Sequence, residues 1–352
     1  MLVEAGFETT LLCWDREREC PKCERLDGYE ARRCHLRAPY GNRWLFLLTP
    51  LWWVYELVFL LTHRADCIHA CDFDTIVPAL CVKLLKRVPV VYDIYDLYSV
   101  KSATIPGWLR GVFAKAERVC ARRADAVVIV DDARRYLLGP REPRRVVVAM
   151  NCPYDAVEPE WHKPDNEHLV IFYGGLIGRY RGIEKLARVT AGLEDVRVVI
   201  AGWVTDEECG RLARESPHID FVGTIDYDEA LRHTFNADAV YSYYDPALEI
   251  NRTANSSKMY DALMCGTAVL ANREPPAAQI VEEYDCGALL PYDDDEALRD
   301  TIVTWRDDRA LVRRLGANGR EAFESSYNWP RMAERILGVY AELGLLPGDG
   351  TP

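Results

Sequence analysis

An alternation of short apolar strands with helices starts twice along this chain, and a polar, proline-bearing stretch separates the two runs. In the first run Phe7–Cys13, Asp66–Ala70, Val88–Tyr92, Ala126–Val130 and Arg145–Met150 read as strands, and helices are predicted over 75–86 and 106–123. From Asn151 to Glu167 the chain is polar and carries Pro153, Pro159 and Pro164, the composition of a linker. The pattern then restarts with predicted strands at His168–Tyr173, Val196–Ala201, Ile219–Val222, Ala239–Tyr243, Ala268–Ala271 and Gly287–Leu290. Strands that are apolar throughout, separated by helices, belong to parallel sheets covered on both faces. A length of 352 residues also suits two domains. The fold class is therefore α/β, with two Rossmann-like, doubly wound parallel-sheet domains. We set the boundaries at 1–155, 156–327 and a C-terminal helix and tail over 328–352, expected to cross back toward the first domain.

Three successive strands of the second run end at glycine: Gly174-Gly175, Gly202 and Gly223. Open α/β sheets bind ligands beyond the carboxyl ends of their strands, and glycine lets backbone approach a ligand there. Neither domain carries G-x-G-x-x-G after its first strand, which argues against a nicotinamide cofactor, and no G-x-x-x-x-G-K-[ST] loop is present. The net charge of −12 argues against nucleic-acid binding, which needs a basic surface.

Two stretches point to a phosphate ligand. Tyr173–Glu184 combines Gly175, Gly178 and Gly182 with Arg179 and Arg181, and guanidinium groups pair bidentately with phosphate. Asn255–Val269 offers Ser256 or Ser257 as an N-cap, a helix amino terminus that can receive a diphosphate, and Lys258 as a point charge. Asp261 lies one turn further along the same helix, where a carboxylate can accept hydrogen bonds from two ribose hydroxyls. Asp293-Asp294-Asp295 precedes a helix and reads as its solvated amino terminus, not as a metal site.

Twelve cysteines scattered along the chain read as thiols of a reducing cytoplasm. Cys20 and Cys23 have knuckle spacing, with Cys13 and Cys34 nearby; a structural zinc site normally shows two clear pairs, so a polar loop is the expected structure. The run Trp44–Leu61 approaches the length of a bilayer span but is interrupted by Pro50 and Glu56. It is expected to be a helix packed on the first domain, with an aromatic face beside the acceptor side that can rest on a membrane.

At this point the chain resembles the retaining GT-B glycosyltransferases of family 4, from Leu2 to about Leu343. Asp66–Asp72 resembles the family's D-V-I-H-A-H-D, and Val90–Tyr98 its V-V-Y-D-x-H-E-L-Y. Glu117-Arg118 followed by Arg123–Val127 resembles E-R…A-D-A-V. Tyr173–Ile183 is similar to the Y-V-G-R-L-x-x-x-K-G-I donor loop, and Ser257–Val269 to a variant of the donor helix.

The resemblance implies two domains facing across a cleft and transfer of a sugar from a nucleotide donor to a glycan or lipid-linked acceptor. It implies retention at the anomeric carbon, with no metal and no other cofactor. Arg181 takes the place of the family lysine on the diphosphate, and Asp261 that of the second glutamate of E-x7-E, on the ribose. Lys258, Ser257 and Met259 face the diphosphate, and Gly175, Arg179 and Gly202 complete the donor side. Asp72, Asp93, Tyr95 and Asp96 line the acceptor side, and Tyr95, Arg181 and Lys258 are the catalytic candidates. Leu176, Thr253 and Tyr95 depart from the family's arginine, glutamate and histidine. Those departures keep open a nucleotide- or glycan-binding protein without turnover, and a GT-B epimerase or phosphorylase shares the fold.

Family members begin with a strand, a glycine loop and a full helix ahead of the segment that matches Leu2. The expectation is that Met1 is not the natural start, or that the first domain is weakened.

Overall fold

The computed structural model describes residues 1–38, 45–101 and 107–345. Trp44 and Pro106, the starts of two predicted helices, lie outside them. The chain divides into two compact units, Met1–Ala149 with the chain from Ala333 onward, and Met150–Met332.

The first unit opens on β1 (Thr9–Trp14), β2 (Cys23–Leu26) and β3 (Tyr29–Cys34). Ahead of β1, Leu2–Gly6 is a helical turn: Phe7 N–H donates to Leu2 O and Gly6 N–H to Val3 O, with Gly6 at φ 87°. This is the hydrogen-bond pattern that ends a helix at glycine. The 20–34 stretch corrects the expected polar loop. β2 and β3 form an antiparallel hairpin, with Leu26 opposite Tyr29, and β1 pairs parallel with β3. Asp27 and Gly28, both at positive φ, make the two-residue turn. Asp-Gly favours this geometry because glycine adopts positive φ without strain.

Helices α1 (Leu45–Thr62) and α2 (Phe73–Lys86) flank β4 (Ile68–Cys71), and β5 (Val90–Ile94) follows. The short α3 (Tyr98–Lys101) leads to α4 (Gly107–Arg123), β6 (Ala126–Ile129) and β7 (Val146–Val148). The four strands pair parallel in the order β4-β5-β6-β7. Ile68, Ala70, Val90, Tyr92, Ile94, Val127 and Ile129 are buried with Ile76 and Ala79 of α2 and Cys120 and Ala121 of α4. Each such aliphatic side chain contributes about 1.5–3 kcal/mol, which fixes the strands whose ends carry the polar residues.

Helix α1 turns its tryptophans inward, against expectation. Trp52 is 2% exposed, and both Trp52 and Trp53 donate their indole N–H to Asp74 O. An indole buried on an apolar face needs such an acceptor, and Asp74 O is open because its partner four residues on in α2 is Pro78, which has no N–H. The face left outside is aliphatic: Leu47, Leu51, Val54, Val58 and Leu61, with Tyr55 at its edge. Among the described residues no helix is long and apolar enough to cross a membrane.

The second unit is a six-stranded parallel sheet. Its elements run β8 (Leu169–Gly174), α5 (Ile183–Thr190), β9 (Val196–Ala201), α6 (Glu207–Glu215), β10 (Ile219–Gly223), α7 (Tyr227–Asn236) and β11 (Ala239–Ser242). They continue with α8 (Ser257–Cys265), β12 (Ala268–Asn272), α9 (Gln279–Glu283), β13 (Gly287–Leu290), α10 (Asp295–Asp307) and α11 (Arg309–Ser325). The strand order β10-β9-β8-β11-β12-β13 reverses direction between β8 and β11, the switch point at which such sheets bind ligands.

Helix α12 (Trp329–Glu342) begins in the second unit, and from Ala333 it belongs to the first. There Tyr340 stacks on His69 of β4 and packs on Phe7, and Glu342 pairs with Arg145.

Candidate functional site

In the second unit the backbone at the switch point is close-packed. Gly175, at φ 140°, follows β8, and Gly202, at φ 137°, follows β9. A Cβ on Gly202 would stand 1.6 Å from Gly175 O, so no other residue fits there. Gly175 N–H donates to Ala201 O and Gly202 N–H to Gly223 O, which binds the three glycine-ended strands into one floor.

Two cations, Lys258 beside this floor and Arg181 beyond it, meet at Tyr244. Lys258 donates to the Tyr244 hydroxyl at 3.3 Å, and its ammonium lies 3.5 Å from where a Gly175 Cβ would be. It also sits 5.3 Å from the ring centroids of both Tyr173 and Tyr244. Arg181 stacks its guanidinium 4.6 Å over the same Tyr244 ring and donates to Asn251 Oδ1 at 2.9 Å. Burial draws the Lys258 ammonium down, but the facing Tyr244 and Tyr173 hydroxyls outweigh it, so the group stays charged.

Two cations this close repel each other. Two tyrosine faces and a buried amide hold them there, and the quadrupole of each ring attracts the cation lying over it. Asn251 is 1% exposed and also donates to Tyr180 O and Asp245 O, so its amide is locked and its oxygen faces Arg181.

Helix α8 begins at the same place. Ser256 holds the N-cap position but does not cap, because its hydroxyl accepts from Ser242 and Tyr244 instead. The amino terminus of α8 is thus left without a side-chain cap, carrying the positive end of the helix dipole. Ser257 is exposed, whereas the Met259 side chain is buried and its N–H is bonded to Ser256 O. One turn on, Asp261 accepts from the Tyr227 hydroxyl at 2.9 Å. Burial raises its carboxyl to about 6, against the opposing pull of Tyr227 and Lys258.

The structure thus brings Gly175, Gly202, Arg181, Lys258, the start of α8 and Asp261 into one unit edge. It does not bring Arg179 there: that side chain is 64% exposed and lies 3.6 Å from Asp206 and 4.0 Å from Glu208, on α6 and its cap. Thr253 is buried in the turn Glu249–Thr253. Leu176 O accepts from the Tyr173 hydroxyl, so the position of the family arginine is part of the loop's own scaffold. Asp294 caps α10 through Ala297 N–H, and Asp295 binds Lys185 and Arg188, as expected of a helix start. Sequence reading missed Tyr244 and Asn251.

In the first unit Asp72, Asp93, Tyr95 and Asp96 meet at the carboxyl ends of β4 and β5. Asp72 Oδ1 accepts from Tyr95 N–H at 2.9 Å and from Asp96 N–H at 3.1 Å, so its carboxylate ties the two strand ends together. Asp96 faces Arg134 at 3.5 Å, and Arg134 also donates to Tyr95 O. Asp93, 6% exposed, lies 3.2 Å from His69 Nε2. Tyr95 is 43% exposed, and burial of its hydroxyl beside Asp93 and Cys71 pushes its pKa up to about 12. It therefore stays protonated and can donate a hydrogen bond. Glu117 holds the next segment by accepting from Tyr98 N–H and the Ser99 hydroxyl. None of the twelve cysteines is in a disulfide; Cys20 is exposed and Cys23 Sγ lies 3.3 Å from Glu30. Among the described residues, the one group with donors close enough to share a metal ion is His69, Cys71 and Asp93, not Cys20 and Cys23.

The second unit is doubly wound as expected, whereas the parallel sheet of the first runs in the sequential order β4-β5-β6-β7 with β1–β3 in a sheet of their own; two α/β units with parallel sheets are the fold of GT-B glycosyltransferases. Sucrose-phosphate synthase from Thermosynechococcus elongatus matches 97% of this chain and 90% of its own at a TM-score of 0.76 and 20% identity. Anabaena HepE, solved in complex with UDP-glucose, matches 95% of this chain and 99% of its own at a TM-score of 0.65 and 14% identity. In sequence, residues 1–152 match the glycosyl transferase 4-like domain and residues 155–322 the glycosyl transferases group 1 domain. The chain belongs to the group 1 glycosyltransferases. An alpha-maltose-1-phosphate synthase from Mycolicibacterium smegmatis is 26% identical over 319 residues, 80% of each protein. A phosphatidyl-myo-inositol mannosyltransferase from Mycobacterium leprae is 27% identical over 176 residues, 47% of this chain and 45% of the mannosyltransferase.

Proposed function

We propose that the second unit holds a nucleoside-diphosphate sugar and that the enzyme transfers its sugar, with retention at the anomeric carbon, to a hydroxyl of a glycan or lipid-linked acceptor. The observation that carries this reading is the convergence of Arg181, Lys258 and the uncapped start of α8 on the glycine floor, with Asp261 one helical turn away. That spacing suits a diphosphate followed by a ribose. When the bond from the anomeric carbon to the phosphate oxygen breaks, negative charge grows on the leaving diphosphate. Two fixed cations and a helix terminus stabilise that charge without reorganising. The acceptor oxygen bonds to the same carbon, and its proton passes to the leaving phosphate oxygen. Tyr95 donates a hydrogen bond to the sugar or acceptor and is not the base. This route assigns no protein-bound metal to the leaving group.

UDP is the first nucleotide to test, since HepE is solved with UDP-glucose and shares the fold. The aliphatic stripe of α1 supports a lipid surface as the place where the acceptor is met. Leu84 and Leu85 of α2, 75% and 70% exposed, extend the stripe, because Lys86 ties the end of α2 to Leu60 O and His63 O of α1. A contiguous exposed apolar patch of this kind is rare on a surface that only meets water.

Incubation with a panel of nucleotide sugars, followed by NMR of the product anomer, tests the reading. Release of nucleotide with a product of the donor's anomeric configuration is expected. An inverted product would overturn retention, and no hydrolysis or transfer from any donor would overturn turnover.

A further inference from the structure

Strands β4 and β5 lie parallel, with Cys71 directly paired to Asp93. His69 precedes Cys71 by two residues and so shares its face of the sheet. The alternate residues of the same strands, Ile68, Ala70, Tyr92 and Ile94, are packed in the core, which fixes the backbone beneath. One imidazole nitrogen, one sulfur and one carboxylate oxygen are thereby gathered within 4.8 Å of one another.

We propose that His69, Cys71 and Asp93 bind a zinc-class divalent cation, with the fourth coordination position open to solvent or to an acceptor hydroxyl. The donor set is that of a borderline-soft transition metal and not of magnesium or calcium, which take oxygen ligands. His69 Nε2 and Asp93 Oδ2 stand 3.2 Å apart. Ligands about 2.0–2.1 Å from a tetrahedral zinc are separated by about 3.3 Å, so this edge of the site is already spaced for the ion. Sulfur, at about 2.3 Å from zinc, closes from within the observed 4.8 Å by a rotation of the Cys71 side chain.

The histidine is also oriented from behind. Its Nδ1 is 2.7 Å from the Tyr340 hydroxyl, and the two rings stack at 6.1 Å with 13° between planes, which leaves Nε2 facing Asp93. Zinc-binding histidines generally have their other nitrogen held in this way. On binding, the Cys71 thiol gives its proton to solvent, and thiolate and carboxylate together balance the charge of the ion. Cys71 is the exposed member of the three and Asp93 the buried one, so the group lies at the surface end of β4 and β5.

Cobalt(II) titration of chelator-treated full-length protein tests this. One equivalent should produce thiolate-to-cobalt absorption in the near ultraviolet with tetrahedral d–d bands, and added zinc should bleach both. Cys71→Ser should abolish the charge-transfer band, and Cys20→Ser with Cys23→Ser should leave it intact. Tyr340→Phe keeps the stacked ring but loses the hydroxyl, and it should weaken cobalt binding about tenfold. Absence of the band in the wild type, or a band that survives Cys71→Ser, would overturn the site. So would full cobalt affinity in both His69→Ala and Asp93→Asn proteins whose thermal melts match the wild type.

Discussion

Arg181 and Lys258 are held by one aromatic residue, Tyr244: the guanidinium lies 4.6 Å over its ring, and the ammonium donates to its hydroxyl at 3.3 Å. The pairing sets the two positive charges that the proposed diphosphate must meet, and it makes Tyr244 a positioning residue for both. Tyr244→Phe keeps the ring under Arg181 and removes the contact to Lys258. A hydrogen bond to a charged group is worth about 1.5–3 kcal/mol, so nucleotide affinity should fall roughly tenfold. Tyr244→Ala should cost more, and calorimetry with UDP compares the two. Equal loss in both variants would mean that the ring face under Arg181 is not used, and unchanged affinity in Tyr244→Phe would mean that the hydroxyl is not used.

Asp261 predicts how donor binding depends on pH. Burial raises its carboxyl to about 6, and only the ionised form accepts from two ribose hydroxyls. UDP affinity should therefore decline as pH falls through 6 toward 5. In Asp261→Asn that decline should disappear and affinity should be low throughout. The same slope in wild type and variant would place the titration elsewhere.

The approach of Gly202 to Gly175 O makes a stability prediction. Gly202→Ala puts a Cβ against a backbone oxygen at positive φ and should cost on the order of 3 kcal/mol. Gly192→Ala, at φ 70° with nothing within 4 Å, should cost only about 1 kcal/mol. Urea unfolding of the two variants checks the contrast.

Two strong signals in the sequence survive in the structure because they are local. The glycine endings of β8, β9 and β10 and the Asp294 start of α10 each depend on a few neighbouring residues, so a sequence pattern records them. Tyr244 and Asn251 were not legible. One follows β11 and the other sits in a single turn, and only the folded chain brings both to Arg181. Arg179 and Arg181 share one glycine-rich stretch, yet the tight turn between them sends one toward α6 and the other toward Tyr244. The Asp27-Gly28 hairpin was readable in principle, but the nearby thiols suggested a loop. The tryptophans of α1 misled for a different reason: an indole N–H can be satisfied inside, and the distant Asp74 carbonyl does so.

Glu56 carries a pH signature of its own. Its carboxyl is 4% exposed, and burial, reinforced by Asp74, raises its pKa to about 9. Folding therefore retains a proton that the unfolded chain releases above about 4.3. Its contribution to stability is fully present below that value and is lost as pH rises toward 9. Glu56→Gln removes this titration, so it should raise Tm at pH 8 and give a difference that shrinks toward pH 4.5. A difference independent of pH would show that Glu56 is already ionised in the fold.

The outward face of α1 separates surface from core. Leu51→Glu with Val54→Glu should reduce sedimentation with anionic liposomes while leaving Tm within a few degrees. Trp52→Glu should lower Tm strongly, because it puts a carboxylate where a 2% exposed indole packs against the core. Equal sedimentation of the wild type and the double variant, or none for either, would remove the lipid surface from the proposal.

The central claim is that one nucleotide is held through Arg181, Lys258 and Asp261 together. Calorimetric titration of UDP and other nucleoside diphosphates into the wild type and into Arg181→Ala, Lys258→Ala and Asp261→Ala measures it directly. The account predicts one site in the wild type and at least a several-fold loss of affinity in each variant, since each removes a contact worth about 1.5–3 kcal/mol. Unchanged affinity in all three, with unchanged thermal stability, would contradict it.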